Sequence, residues 1–292
     1  MLEYESPSPV SALALGALKK YDGKTLYLED NGIVFPVRVK LNQGSDRLFV
    51  MLNGAVDRQK ERLPKFARWN WGKMLRGHVI AVCDPTLYLD ERLRLGWFLG
   101  SAAASALPGL TKIAETAAAG LGIASGRTIF YGSSGGGFAA VAGAASMQDG
   151  RAIAINPQTD ITAYFPGVIA DLRDVLGGEA AFEDVCRDDR RIRLQAAIAD
   201  ARSAGRNGRF VFLQNTVDKF HHAHHYSVLA KSLPFPVEGG FSSQRDVLSM
   251  TYGSPEGHSA EPPEVVKTIV DTAFPYLLEG EAIGPRPDVR LR

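Results

Sequence analysis

The stretch that decides the fold runs Arg127-Thr128-Ile129-Phe130-Tyr131, then Gly132-Ser133-Ser134-Gly135-Gly136, then Phe138-Ala139-Ala140-Val141-Ala142-Gly143-Ala144-Ala145. β-forming residues lead into a glycine-serine turn, and small and apolar residues leave it. That order, strand then sharp turn then helix, is a nucleophile elbow. A serine forced into such a turn needs neighbours without side chains, both for its backbone conformation and for close strand–helix approach. Ser134 is therefore the candidate nucleophile. Its hydroxyl is expected at a helix N-terminus, where free N–H groups favour developing negative charge. Glycine and serine alone also suit a flexible spacer, but β-formers on one side and an apolar helix on the other argue against one. A phosphate cradle is disfavoured too. The Walker pattern requires Gly-Lys-Ser/Thr, and the dinucleotide fingerprint belongs to a first βα unit, whereas this motif lies mid-chain. No cofactor is implied.

Working outward, Thr25-Leu26-Tyr27-Leu28, a turn at Asp30-Asn31-Gly32 and Ile33-Val34-Phe35-Pro36-Val37-Arg38-Val39 predict an antiparallel hairpin. Leu48–Leu52 and His78–Cys83 are continuous apolar runs of the kind buried on both faces of a parallel sheet. A helix around Leu110–Ala119 then leads to the elbow strand. Beyond the elbow, Ala152–Ile155, Phe210–Leu213 and Val247–Tyr252 predict further strands, separated by helix-prone segments long enough for crossovers. The expected fold is α/β: a three-layer sandwich with a mostly parallel central sheet and an antiparallel N-terminal hairpin. Residues 1–292 are expected to form one domain. Residues 160–207 exceed a simple crossover, with helical pieces at Val168–Leu172 and Ile192–Ala201, and form either a small helical cap over the site or a two-helix connection on the sheet flank. A last helix starts near Glu261, and the Pro- and Arg-bearing end beyond Gly280 is expected to be loose.

A serine hydroxyl is a poor nucleophile until a base takes its proton, and a buried carboxylate must fix that base's tautomer. The expected chain order is serine, acid, histidine. His258 follows the last strand in Tyr252-Gly253-Ser254-Pro255-Glu256-Gly257-His258. For the acid, Asp218 stands beyond Leu213 at the end of the penultimate strand, and Asp160 stands beyond Ile155 as the fallback. Both loops leave carboxyl ends of strands, where open α/β sheets place their ligands. The oxyanion hole is assigned to the backbone N–H groups of Gly135 and Ala55, the latter in the Asn53-Gly54-Ala55 loop after Leu48–Leu52. His221, His222, His224 and His225 follow Asp218; helical spacing puts His221 on one face with His224 and His225, yet no Cys or Glu nearby completes a metal set. Arg68-Trp69-Asn70-Trp71 offers indole faces either for packing or for a sugar ring.

With these parts assembled, the chain resembles the α/β-hydrolase superfamily from about Leu26 to Phe274. More narrowly, Phe130–Gly136, Ala154–Asp160, Gln214–Asp218 and Gly257-His258 resemble bacterial α/β-hydrolase-like proteins linked to capsule or cell-surface glycan synthesis. Asn53 departs from the histidine common in His-Gly oxyanion loops, and Gly137 extends the elbow's glycine run. The resemblance implies a serine hydrolase forming an acyl-serine, most simply a carboxylic esterase or deacylase on a small-molecule or glycan ester. Acyl transfer to a sugar hydroxyl, or a non-catalytic glycan-assembly scaffold, are the alternatives it leaves.

Bulk properties bound the partners. Among 292 residues, 33 basic and 32 acidic side chains give a formal charge of +1, so neither a nucleic-acid footprint nor an electrostatic membrane anchor is expected. Cys83 and Cys186 do not make a disulfide framework. The first residues lack a basic segment followed by an apolar one, and no apolar run reaches transmembrane length, so a cytoplasmic protein is expected. Oligomeric state is left open.

Overall fold

The computed structural model describes residues 6–14, 17–259 and 261–279. Among them, ten strands form one sheet: β1 (Ser8–Pro9), β2 (Thr25–Asp30), β3 (Ile33–Lys40), β4 (Leu48–Leu52), β5 (His78–Val82), β6 (Thr128–Ser133), β7 (Arg151–Ile155), β8 (Arg209–Asn215), β9 (Gly240–Phe241) and β10 (Val247–Tyr252). Their order is β1-β2-β3-β5-β4-β6-β7-β8-β10-β9. From β5 through β10 neighbouring strands are parallel, while β2–β3, β3–β5 and β9–β10 are antiparallel. The predicted hairpin is present. Its two-residue turn has Asn31 at φ 49° and Gly32 at φ 76°, the left-handed pair that matches strand twist.

Alternation along β4 shows how the sheet is covered on both sides. Leu48, Val50 and Leu52 join one core, whereas Phe49 and Met51 join the other, and all five are fully buried. The first core lies under α1 (Leu107–Leu121), α2 (Gly135–Ala145), α3 (Pro166–Val175), α4 (Glu179–Cys186) and α5 (Leu194–Ser203). The second lies under the C-terminal helix, which begins at Pro263–Thr268 and continues with wide turns to Glu279. The result is the three-layer α/β arrangement expected from the sequence. Because β4, β6, β7, β8 and β10 run in one direction, the loops after them gather at a single edge.

Smaller differences have local reasons. β1 and β9 are two-residue edge strands, too short to leave a periodic pattern. Segment 160–207 carries α3, α4 and α5, and Leu172, Phe182, Val185, Leu194 and Ile198 are buried in the first core. Residues beyond Gly280, expected to be loose, lie outside the described residues. Both cysteines are free, and burial pushes the Cys83 thiol up to about 12. Among the described residues no helix is long and apolar enough to cross a membrane.

Close packing explains the elbow glycines. A Cβ on Gly132 would lie 2.1 Å from the backbone oxygen of Gly136, and one on Gly54 would lie 2.9 Å from that of Ser133. Neither obstacle is a flexible side chain, so the backbone itself would have to move. Gly132→Ala is expected to lower unfolding free energy by more than about 2 kcal/mol, read by urea denaturation; an unchanged midpoint would contradict this packing.

Candidate active site

Ser134 sits between β6 and α2 at φ 58° and ψ −127°, a conformation that is costly for a residue with a side chain. Hydrogen bonds hold it there. Its N–H donates to Ile155 O (2.9 Å) on β7, while its own carbonyl accepts from Gly137 N (3.0 Å) and Phe138 N (3.2 Å) in the first turn of α2. The side chain is directed by Gln158, in the loop after β7. Trp97 Nε1 donates to Gln158 Oε1 (3.2 Å), which leaves Gln158 Nε2 to donate to Ser134 Oγ (2.8 Å) and to His221 Nε2 (2.7 Å). Gln158 is completely buried, so this orientation is not averaged by water.

Asp218 follows β8 and receives two histidines. His258 Nδ1 lies 2.6 Å from Oδ2, and His221 Nδ1 lies 3.1 Å from Oδ1; the His221 backbone N–H also donates to Oδ1 (3.3 Å). The two imidazoles stack, with centroids 3.8 Å apart and planes 6° from parallel. Since both rings turn Nδ1 to one carboxylate, both present Nε2 away from it. For His221 that nitrogen meets Gln158. For His258, among the described residues, it has no partner, and Ser134 Oγ is bonded to Gln158 rather than to His258. Burial opposes ionisation of Asp218, but the two histidines outweigh it and hold the carboxyl below its usual range. Burial, and then the adjacent His258, pull His221 down to about 4, so it is neutral near pH 7.

The loops carrying these groups are clamped by buried asparagines. Asn215 Nδ2 donates to Ser254 O (2.9 Å) and Gly257 O (2.7 Å) in the His258 loop, and its Oδ1 accepts from Ser254 N (3.0 Å) and from Val217 N (3.1 Å) beside Asp218. All four hydrogen-bonding positions of the amide are thereby used. On the other side of the elbow, Asn53 Oδ1 accepts from Asp84 N (2.8 Å) and Nδ2 donates to Gly54 O (2.9 Å). Asp84 accepts from Phe98 N (3.0 Å), and burial raises its carboxyl to about 6. Trp97 and Phe98 both have positive φ, 53° and 57°, and that bend brings the indole to Gln158. The amides of Gly135 and Ala55 have no hydrogen-bond partner among the described residues.

Other sequence expectations find different places. Asp160 does not approach His258: its Oδ2 pairs with Arg193 Nε (2.9 Å) and its Oδ1 accepts from Thr162 N (2.9 Å), capping a short helical turn. The histidine run does not present one α-helical face, because His222–Tyr226 forms a wider π-type turn. His221 and His225 are buried and His224 is exposed. His225 Nδ1 accepts from Thr159 N (3.3 Å), and burial pulls that imidazole down to about 3. Asp218, His221 and His258 offer ligand atoms within 4.8 Å of one another, but the hydrogen bonds to Asp218 already account for both Nδ1 atoms. Arginines cover the indole faces once considered for sugar: Arg38 lies 4.0 Å above Trp69 and Arg68 5.4 Å from Trp71. Arg68 also pairs with buried Glu261 (2.5 Å) and donates to Ser133 Oγ (2.9 Å). Gln158 is not singled out by the sequence, since it does not belong to the elbow pattern, and His221 enters there only as one of a histidine cluster.

The fold is that of the α/β hydrolases, and solved structures carry the same likeness. The capsule O-acetyltransferase of Neisseria meningitidis serogroup A superposes with a TM-score of 0.63 at 15% identity, over 85% of this chain and 94% of that one. A chain of the glycosylation-associated Gap123 complex of Streptococcus agalactiae gives 0.58 at 15% identity, covering 86% of this chain and 46% of that one. A Lactobacillus plantarum protein described as a carboxylesterase gives 0.52 at 14% identity, over 88% and 96%. No family model and no curated sequence matches the chain.

The buried histidines make stability pH-dependent. An unfolded histidine takes up a proton near pH 6.5, whereas folded His221 resists until about 4. The unfolded state therefore binds more protons in that window, and stability is lost as pH falls through it. The gap corresponds to roughly 3 kcal/mol for His221. Denaturant melts between pH 7 and 4 are expected to show this decline, and His225→Phe should make it shallower. A flat profile in the wild-type chain would contradict the burial of neutral imidazoles.

Proposed function

We propose that the protein is a serine acyl hydrolase with Ser134 as nucleophile, His258 as base and then acid, and Asp218 as the carboxylate that fixes His258. The observation carrying this reading is the 2.6 Å contact between His258 Nδ1 and Asp218, at the same sheet edge as the strained Ser134. That contact keeps a proton on Nδ1 and leaves Nε2 to accept one. The Ser134 oxygen passes its proton to His258 Nε2 and attacks the ester carbonyl. Charge gathers on the carbonyl oxygen, where the Gly135 and Ala55 amides are free to donate. His258 returns the proton to the departing alcohol, and an acyl-serine remains. Water, activated by the same histidine, completes hydrolysis.

His221 is proposed as a positioning residue. Neutral and stacked on His258, it adds no like charge when His258 becomes cationic, and its hydrogen bonds tie Asp218 to Gln158. The substrate proposed is an acylated glycan. Phe165, 45% exposed and stacked on Phe220 at 4.2 Å, offers an aromatic face beside Tyr164, whose ring lies 5.9 Å from that of His221. Under this reading Tyr164, near the start of residues 160–207, borders the site, within a single domain. Transfer of the acyl group to a sugar hydroxyl is the second reading. It is favoured by the similarity to a capsule O-acetyltransferase, of which a histidine-to-alanine variant, similar at 16% identity and TM-score 0.61 over 87% of this chain and 99% of that one, was solved with CoA.

A fluorophosphonate probe is expected to label the wild type stoichiometrically and to leave Ser134→Ala unlabelled. Absence of labelling, with inertness toward an ester panel, would instead favour a scaffold. Esterase turnover should fall about 10⁶-fold in Ser134→Ala and His258→Ala. In His221→Ala the expected loss is about tenfold to a hundredfold in kcat with KM little changed and labelling retained. Acetyl-CoA consumption that requires an added glycan would select transfer over hydrolysis.

A further inference from the structure

Five arginines and two aspartates line a cavity of about 660 Å³ at the amino ends of the parallel strands, the edge opposite Ser134. Arg151 opens β7, Arg209 opens β8, and the strand register sets them directly opposite each other. Like charges in directly paired positions repel. Burial, and then the neighbouring Arg209, depress the Arg151 guanidinium to about 10. Neither arginine has a carboxylate partner among the described residues. Arg151 Nε donates to Leu277 O (2.7 Å) and Arg209 Nη1 to Tyr276 O (2.9 Å), so their hydrogen bonds end on neutral carbonyls.

The other cations of the cavity are accounted for, with one exception. Arg202 pairs with Asp246 through two hydrogen bonds (2.7 and 2.9 Å), and Arg206 pairs with Asp200 (2.9 Å). Arg245 has no ion pair among the described residues, and its guanidinium lies 4.5 Å from the centre of the Phe241 ring. It occupies the turn between β9 and β10 at φ 56°, held by Ser242 O (2.9 Å) and by Tyr276 Oη, which donates to its carbonyl (2.9 Å). A non-glycine residue kept in that conformation marks a place where the surrounding structure fixes the chain. Asp149, the remaining acid of the lining, accepts from Asn207 Nδ2 (3.3 Å) and leaves an excess of positive charge.

We propose that this cavity binds the pyrophosphate group of a small anionic ligand, with Arg151, Arg209 and Arg245 as its cationic partners. Guanidinium groups present paired N–H donors that match phosphate oxygens, and the volume falls in the range of small-molecule sites. β7 separates this site from the reacting end: its five residues span about 13 Å between Arg151 and Ile155, whose carbonyl receives the Ser134 N–H. The ligand is thus distinct from the group transferred at Ser134, and the proposal does not depend on the activity assigned there.

Isothermal titration calorimetry of the full chain with inorganic pyrophosphate at low ionic strength tests it. Saturable one-to-one binding is expected, at least tenfold tighter than for inorganic phosphate and reproduced by ADP. Arg245→Ala, which removes a guanidinium without an ion pair among the described residues, should weaken binding about tenfold. Arg209→Gln, checked for folding by circular dichroism, should weaken it further, and Ser134→Ala should leave it unchanged. The proposal is overturned by absence of binding at millimolar pyrophosphate, or by equal affinity for inorganic phosphate. It is likewise overturned by indifference to both arginine substitutions, or by binding that appears only after removal of residues 280–292.

Discussion

The architecture around the site depends on one steric constraint: the elbow must pass between β4 and β7 with almost no room. Gly136 faces the carbonyl oxygen of Leu52, where an added Cβ would lie 2.7 Å away, and Gly54 is pressed against Ser133 from the β4 side. The loop after β4 is seated directly on the elbow, where Gly54 packs against Ser133, Ser134 and Gly135. The unfavourable backbone of Ser134 survives because its amide is bonded to β7 and its carbonyl to α2. Strain at one residue is therefore held by three neighbouring elements.

Buried amides and one buried acid extend that constraint outward. Asn53 joins the β4 loop to Asp84, Asp84 holds the Trp97–Phe98 bend, and Trp97 orients Gln158 against Ser134. Asn215 does the equivalent work for the Asp218 and His258 loops. Loops without regular structure leave polar main-chain groups that need partners when buried, and these side chains supply them. Asn53 has a structural role here, donating to Gly54 O and accepting from Asp84 N with one amide.

Much of this was legible in the sequence for identifiable reasons. Parallel strands buried on both faces leave unbroken apolar runs, and β4, β5 and β10 were read within a residue. The elbow is announced by glycines with no substitute. The pairing of Asp218 with His258 is expected from its place after the penultimate strand, since chain order alone admits Asp160 as well. Gln158 was not legible, because a glutamine after a strand carries no spacing signal and its role exists only once Trp97 has been folded against it. The histidine run misled for a different reason: α-helical spacing groups His221 with His224 and His225, whereas the π-type turn at His222–Tyr226 turns His224 outward. Asp160 looked equivalent to Asp218 by distance from its strand, and its pairing with Arg193 depends on a chain return that distance does not reveal.

Asn215 has a mechanical consequence. By bonding the acid loop and the histidine loop to one side chain, it makes them a single stiff unit mounted on β8 and β10, while the serine belongs to a second unit mounted on β4 and β6. Gln158 joins the two through Ser134 and His221, and Arg68 joins them through Ser133 and Glu261. The imidazole and the carboxylate are thus fixed to each other within one unit, and the serine-to-imidazole gap is set by the contacts between the two units.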